Sequence, residues 1–263
     1  MDYGLYFGIE DNIETIKEMV KGTENKWAFI GNYGCRRKVP DTKKILELNK
    51  ALEAEGVHVH YISPKTTKET IGLETERIWE LLEAGISVSI NDWGLFYNIR
   101  ERVKPEHALY LGRLLTKSIG DWAWGNIHFE KENSDGVEYL KQNNFNHDIK
   151  MQYFKEHGIK GVEVNITPES EMSLQNIAQN GFSVIGFADN KIMAVSRSCP
   201  MQRLNGHKCH ETCQRRHKLV PSLESQKRIY PDLELRGNVI FRMEEQKLSW
   251  DGYEKVVYTA PVK

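Results

Sequence analysis

Three of the chain's four cysteines fall in one stretch, AVSRSCPMQRLNGHKCHETCQRRHK at residues 194–218, as Cys199, Cys209 and Cys213 in the pattern C-x9-C-x3-C. The fourth, Cys35, lies far upstream in GNYGCRRK. Thiolates are soft ligands, and four of them in tetrahedral array hold either an iron–sulfur cluster or a zinc ion. Pro200 directly after Cys199 matches an adjacency found in some ferredoxin cluster motifs, whereas zinc sites more often show close C-x2-C pairs. Unrelated buried thiols are the third reading, and spacing alone leaves all three open. Basic residues surround the thiols: Arg36, Arg37 and Lys38 after Cys35, then Arg203, Lys208, Arg215, Arg216 and Lys218. They suit an anionic cluster, an anionic substrate or an RNA backbone, and singly each reads as a solvated cation. His207, His210 and His217 can each replace a thiolate, but with four cysteines present they read as neighbours of the site or surface groups.

The elements that must bring Cys35 to the trio alternate along the chain. Strand patterns fall at 3–9, 27–31, 57–63, 86–90, 108–112, 161–166 and 182–188. Helical stripes lie between several of them: DNIETIKEMVKG with Asp11 as a cap, 41–55 with Ile45, Leu48 and Leu52, a helix opened by Thr66 and Glu69, HDIKMQYFKEHG, and MSLQNIAQNG. Alternation of this kind with short connections predicts a parallel sheet, and this count favours a closed TIM-like (β/α) barrel of seven main strands. Residues 116–147 read as a long loop or small insertion, and Trp122 and Trp124 within it as a lid, a partner surface or buried aromatics. The tail departs from the pattern: GNVIFRMEEQKLSWDG predicts a small β element packed on the barrel instead of an eighth βα unit. The expected organisation is therefore a barrel over 1–218, with the cysteine loop at 196–218, and a C-terminal β extension over 219–263.

On that skeleton Cys35 follows the second strand and the trio follows the seventh and its apparent hairpin KIMAVS. Both places belong to the C-terminal face, where barrel active sites are built. Other polar groups end there too: Asn91 and Asp92 after the fourth strand, Gly112 and Arg113 after the fifth, Glu163 and Asn165 in the sixth. Asp92, Arg113 and Glu163 are the catalytic candidates. Asp92 reads equally as a helix cap, and Glu163 as an ion-pair partner of Arg113 inside the barrel. His58 and His60 share one face of the third strand and read as packing histidines.

The segments WAFIGNYGCRRKVPDTKKILELNKALEAEGVHVHYIS, SVSINDWG, LYLGRLL, GVEVNITPE and SVIGFADNKIMAVSRSCPMQRL, in this order, resemble the collagenase-like peptidase family U-32. The likeness spans most of 1–218 and is greatest to the branch of ubiquinone-biosynthesis accessory proteins that contains UbiU and UbiV. It implies a [4Fe-4S] cluster held by Cys35, Cys199, Cys209 and Cys213. It further implies oxygen-independent hydroxylation or a related redox modification, with a second U-32 protein as heterodimer partner and a small molecule or RNA as substrate. Two features depart from the family pattern. The interval between the second and third cluster cysteines is shorter, and Phe187 occupies a position where the family carries a histidine, which weakens the carry-over of peptidase chemistry.

Composition sets the outer limits. With 263 residues, a net charge of -1, 40% hydrophobic and 28% charged residues, the chain has an ordinary globular make-up and no global pull toward nucleic acid. It shows no leader pattern and no apolar run of the roughly 18 residues that would span a bilayer, so the expectation is a cytoplasmic protein with reduced thiols and no membrane insertion. Two classes of function remain. One is a redox enzyme, or half of one; the other is a non-catalytic scaffold pinned by its metal. RNA modification and peptidase activity are lesser variants of the first.

Overall fold

The computed structural model describes residues 1–7, 13–21, 23–35, 37, 39–121, 134–167, 170–196, 198–204, 206, 209, 217–220, 233–243 and 250–260. Eight strands close a barrel: β1 (Asp2–Phe7), β2 (Asn25–Gly31), β3 (His58–Ile62), β4 (Ser87–Ile90), β5 (Leu109–Leu111), β6 (Ile159–Asn165), β7 (Ser183–Phe187) and β12 (Lys255–Thr259). Their order around the barrel is β1-β12-β7-β6-β5-β4-β3-β2, and every pair is parallel. Described helices on the chain are α1 (Ile13–Val20), α2 (Thr42–Glu53), α3 (Ile71–Glu83), α4 (Trp93–Ile99), α5 (Ser134–Lys141), α6 (Asp148–Glu156), α7 (Glu171–Gln179) and α8 (Pro200–Leu204). None is long and apolar enough to cross a membrane.

The expected barrel is present with one more strand than the seven predicted. The eighth comes from the C-terminus: β12 enters between β1 and β7, with Val256 opposite both Tyr3 and Gly186. Without it, the facing edges of β1 and β7 would leave rows of backbone donors and acceptors unpaired. Of the strand–turn–strand expected over 237–252, Val239–Met243 is a strand, but it pairs through a turn at Gly237-Asn238 with the preceding Leu233–Arg236, and 244–249 lie outside the described residues. Lys255–Thr259 has only the five-residue run KVVYT to announce it, and no strand-helix period leads into it.

A second, antiparallel sheet has the order β8-β11-β10-β9, made of β8 (Asn190–Val195), β9 (His217–Leu219), β10 (Leu233–Arg236) and β11 (Val239–Met243). Strand alternation explains where it lies. Along β2, Ala28 and Ile30 face the helices while Trp27 and Phe29 face inward; β6 likewise sends Val162 and Val164 out and Glu163 and Asn165 in. The inner apolar set of Tyr6, Phe29, Tyr33, Ile62, Phe187 and Val257 is continuous with Ile192, Val239 and Phe241 of the small sheet. The small sheet therefore caps the C-terminal mouth of the barrel, and any pocket on that face must open between rim and cap.

Local chemistry moved one helix start. Asp41 caps α2, accepting from the Lys43 amide at 3.0 Å. α3 begins at Ile71 and not at Thr66, because residues 66–70 are tied into their own turn: the Thr67 amide donates to Thr70 Oγ1 at 3.0 Å, and the Thr67 hydroxyl to Glu69 at 2.6 Å. Asp11, Trp122 and Trp124 lie outside the described residues.

Candidate metal centre

Cys35, Cys199 and Cys209 line one cavity of about 490 Å³, all three half-buried and none joined to another by a disulfide. Its wall also includes Arg37, Lys65, Asp92 and Asn238, so it lies between the C-terminal ends of β2, β3 and β4 and the cap sheet. The fourth predicted ligand, Cys213, lies outside the described residues, as do Arg36, Lys38, His207, Lys208, His210, Arg215 and Arg216. Of the remaining basic residues, Arg37 is exposed on the cavity wall, and Arg203 is exposed on α8.

Each cysteine is positioned by short-range chemistry. Gly31 ends β2 at φ 132°, and a Cβ there would fall 2.1 Å from the Ile62 carbonyl oxygen, so only glycine lets the chain turn off the barrel at this point. Asn32 then accepts from the amides of both Gly34 (2.8 Å) and Cys35 (2.7 Å) through its side-chain oxygen, an Asx turn that presents Cys35 at the rim. Across the cavity, Asn238 in the turn between β10 and β11 joins the two cysteine-bearing segments. Its side-chain amide donates to the carbonyls of Gly34 and Ser196, each at 2.9 Å, and its backbone carbonyl accepts from the Ser196 amide at 2.9 Å. Asn32 and Asn238 were not singled out from sequence. The signals were there: N-x-G before Cys35, and a two-residue Gly237-Asn238 hairpin turn between short apolar strands.

Asn238→Ala removes both side-chain hydrogen bonds and leaves two half-buried carbonyls without a donor. The expected cost is about 1–3 kcal/mol, seen as a lower urea midpoint, together with reduced iron content after anaerobic reconstitution. Unchanged iron content would show that the two segments find their places without it.

The donor set is thiol-rich. Among the described residues no three His, Cys, Asp or Glu side chains stand close enough to hold a metal ion by themselves, so the three thiols share a wall without closing a ligand shell. Asp92, the cavity's carboxylate, is engaged by backbone: one oxygen accepts from the Gly94 amide at 2.8 Å, capping α4, and the other from the Thr66 amide at 3.4 Å. Soft sulfur is what this wall offers, which suits an iron–sulfur group better than a hard cation.

Arg113 and Glu163 lie beneath the cap, both fully buried. Arg113 donates to the Tyr33 hydroxyl (3.0 Å), to the Asn165 side-chain oxygen (3.1 Å), and to Asn190 through both its backbone (3.0 Å) and side-chain (2.9 Å) oxygens. Its guanidinium carbon lies 3.6 Å from the ring centre of Phe187 and 4.6 Å from that of Tyr33. Asn165 passes the network on, donating to Asp121 at 2.9 Å. Asn91 is likewise a buried tie, bonded to the Ser63 carbonyl and the Leu114 amide.

The ion pair considered between Arg113 and Glu163 is not formed. Glu163 Oε1 instead stands 3.3 Å from His60 Nε2, and neither carboxylate oxygen has a hydrogen-bond partner among the described residues. His60 stacks on Phe29 with ring centres 4.6 Å apart and bonds Ser87 through Nδ1 (2.9 Å) and Ser89 through Nε2 (2.7 Å). His58, on the same face, is exposed beside Trp27. Burial lowers the pKa of His60 from its ordinary value, and the neighbouring Glu163 offsets only part of this. A histidine whose folded pKa lies below its unfolded one contributes stability above the unfolded value, about 6.5, and that stability is lost as pH falls through it. His60→Gln is therefore expected to flatten the fall in urea midpoint between about pH 7.5 and pH 5.5 relative to the parent chain. Parallel curves would assign the acid sensitivity to other groups.

No family model matches the chain, and no curated protein matches it. Among solved structures it is similar to the U32 peptidase Mk0906, with a TM-score of 0.50 at 9% sequence identity, over 100% of this chain and 94% of that one. At that identity the likeness is one of fold.

Proposed function

We propose that this barrel, which shares its fold with a U32 peptidase, is an iron–sulfur protein of the U32 type. In this reading Cys35, Cys199, Cys209 and Cys213 hold a [4Fe-4S] cluster at the C-terminal rim. The observation that carries it is the convergence on one cavity of Cys35 with Cys199 and Cys209, residues more than 160 positions apart in the chain. A cluster held by four thiolates supplies one-electron transfer and leaves no iron open to substrate. The protein residues then have separate tasks. Arg37 offsets negative charge at the cavity, the Asx turn and Asn238 hold the ligand-bearing segments, and the cap sheet keeps the inner side dry.

The resemblance of the sequence extends the proposal to oxygen-independent hydroxylation or a related redox modification, with a second U32 protein as the other half of a heterodimer. Of the three catalytic candidates, Asp92 lines the cavity and can face a substrate, while Arg113 and Glu163 support the site from below. The test is iron and sulfide analysis of anaerobically purified protein, with visible and EPR spectra before and after dithionite. About four irons and four sulfides with a reversible EPR signal support the reading. One zinc, or no metal, sinks it.

A further inference from the structure

A second cleft of about 330 Å³ adjoins the cysteine cavity, sharing Lys65 and Asp92 with it. It opens beyond the ends of β3, β4 and β5, and β8 forms its far wall. This is the face on which barrels bind small molecules, and the size is at the small end of ligand pockets, roughly 300–1,000 Å³. The lining divides by chemistry. Trp93, Leu115 and Val195 supply apolar surface, and Lys65 and Lys117 supply two ammonium groups. Asp92 is the opposing carboxylate, and both its oxygens accept backbone amides. Two cations against one anion leave a single uncompensated positive charge.

Both lysines are held from below. The Lys65 amide donates to the Tyr33 carbonyl at 2.9 Å, and its ammonium has no partner among the described residues. The Lys117 amide donates to the Asn144 side-chain oxygen at 2.9 Å, while its ammonium reaches the Ile192 carbonyl at 2.8 Å and keeps donors to spare. An ammonium group drawn into a cleft with one neutral acceptor is short of negative charge.

We infer that this cleft binds the carboxylate of a small organic monoanion, with Lys117 and Lys65 gripping the charge and the apolar wall holding the body of the molecule. A monoanion neutralises the walls; a dianion such as phosphate would leave net negative charge and put nothing against Trp93, Leu115 and Val195. The affinity depends on pH in a definite sense. Burial lowers the Lys117 pKa to about 8, with Asp121 raising it and Arg113 lowering it. Lys65 and Asp92 are the other charged groups facing the cleft. A bound anion favours the protonated amine, so binding weakens as pH rises through that value.

The experiment is isothermal titration calorimetry of the full chain with phenylacetate, its neutral analogue 2-phenylethanol, and inorganic phosphate. The expected result is one saturable phenylacetate site, at least tenfold tighter than either comparison ligand, with affinity falling between about pH 7 and pH 9. Lys117→Met and Lys65→Met are each expected to weaken it about tenfold or more. Val195→Asp, which adds a carboxylate to the apolar wall, is a further variant should Lys117→Met fail to fold, and it too is expected to weaken binding about tenfold or more. Equal affinity for phenylacetate and 2-phenylethanol, tighter binding of phosphate, no saturable binding in the millimolar range, or unchanged affinity in the folded variants would each overturn the proposal. The titration needs no cluster, so its failure and that of the iron–sulfur reading are separate results.

Discussion

In the iron–sulfur reading, Cys35→Ala, Cys199→Ala, Cys209→Ala and Cys213→Ala are each expected to lose the cluster, with iron falling from about four per chain to near none and the broad absorption near ~400 nm disappearing. The effect should be nearly complete for each single change. A three-thiolate site leaves one iron exposed to water and oxidant. Cys35→Ala is the most telling, because Cys35 stands outside the trio in sequence and meets Cys199 and Cys209 only through the fold. Iron content unaffected by Cys35→Ala but lost in the trio variants would mean that the 199–213 loop binds metal alone. The cavity would then not be the centre.

Arg113→Met should produce the largest loss of stability, about 3–5 kcal/mol, or a fall of roughly 6–15 °C in the thermal midpoint. The side chain is wholly buried, and its removal leaves the oxygens of Asn165, Asn190 and Tyr33 without their charged donor. Hydrogen bonds of this kind contribute about 1.5–3 kcal/mol each, and methionine fills the volume but donates nothing. Arg113→Lys should recover little, since a compact ammonium lacks the planar fork that reaches Tyr33, Asn165 and Asn190 while lying flat on Phe187. Asn190 opens the first strand of the cap and Tyr33 precedes Cys35, so reduced iron loading should accompany the lost stability. A fall of about 1 kcal/mol or less would show that the cap docks through its apolar face alone.

Phe187 is fully buried inside the barrel. It fills the centre under the cap and gives Arg113 an aromatic face. The barrel interior at this level is thus a packed floor beneath the cysteine cavity.

Much of the fold was legible because parallel barrel strands, covered on both faces, read as short apolar runs separated by helical stripes; seven of the eight strands announced themselves in this way. The grouping of Cys199 and Cys209 with Cys35 was legible as well, since strand ends determine which face a following residue occupies. Three things required the tertiary structure. β12 was hidden because a five-residue strand owes its place to the unpaired edges of β1 and β7, which local sequence does not carry. The tie by Asn238 was hidden because its partners lie 204 and 42 residues away, and a side-chain amide has no periodicity. The partner of Glu163 was decided by inward packing across the barrel, where His60, 103 positions earlier, stood nearer than Arg113. Local propensity and period thus determine the elements and the face they present. Which side chains meet on that face depends on barrel closure and the cap, both products of contacts between distant parts of the chain.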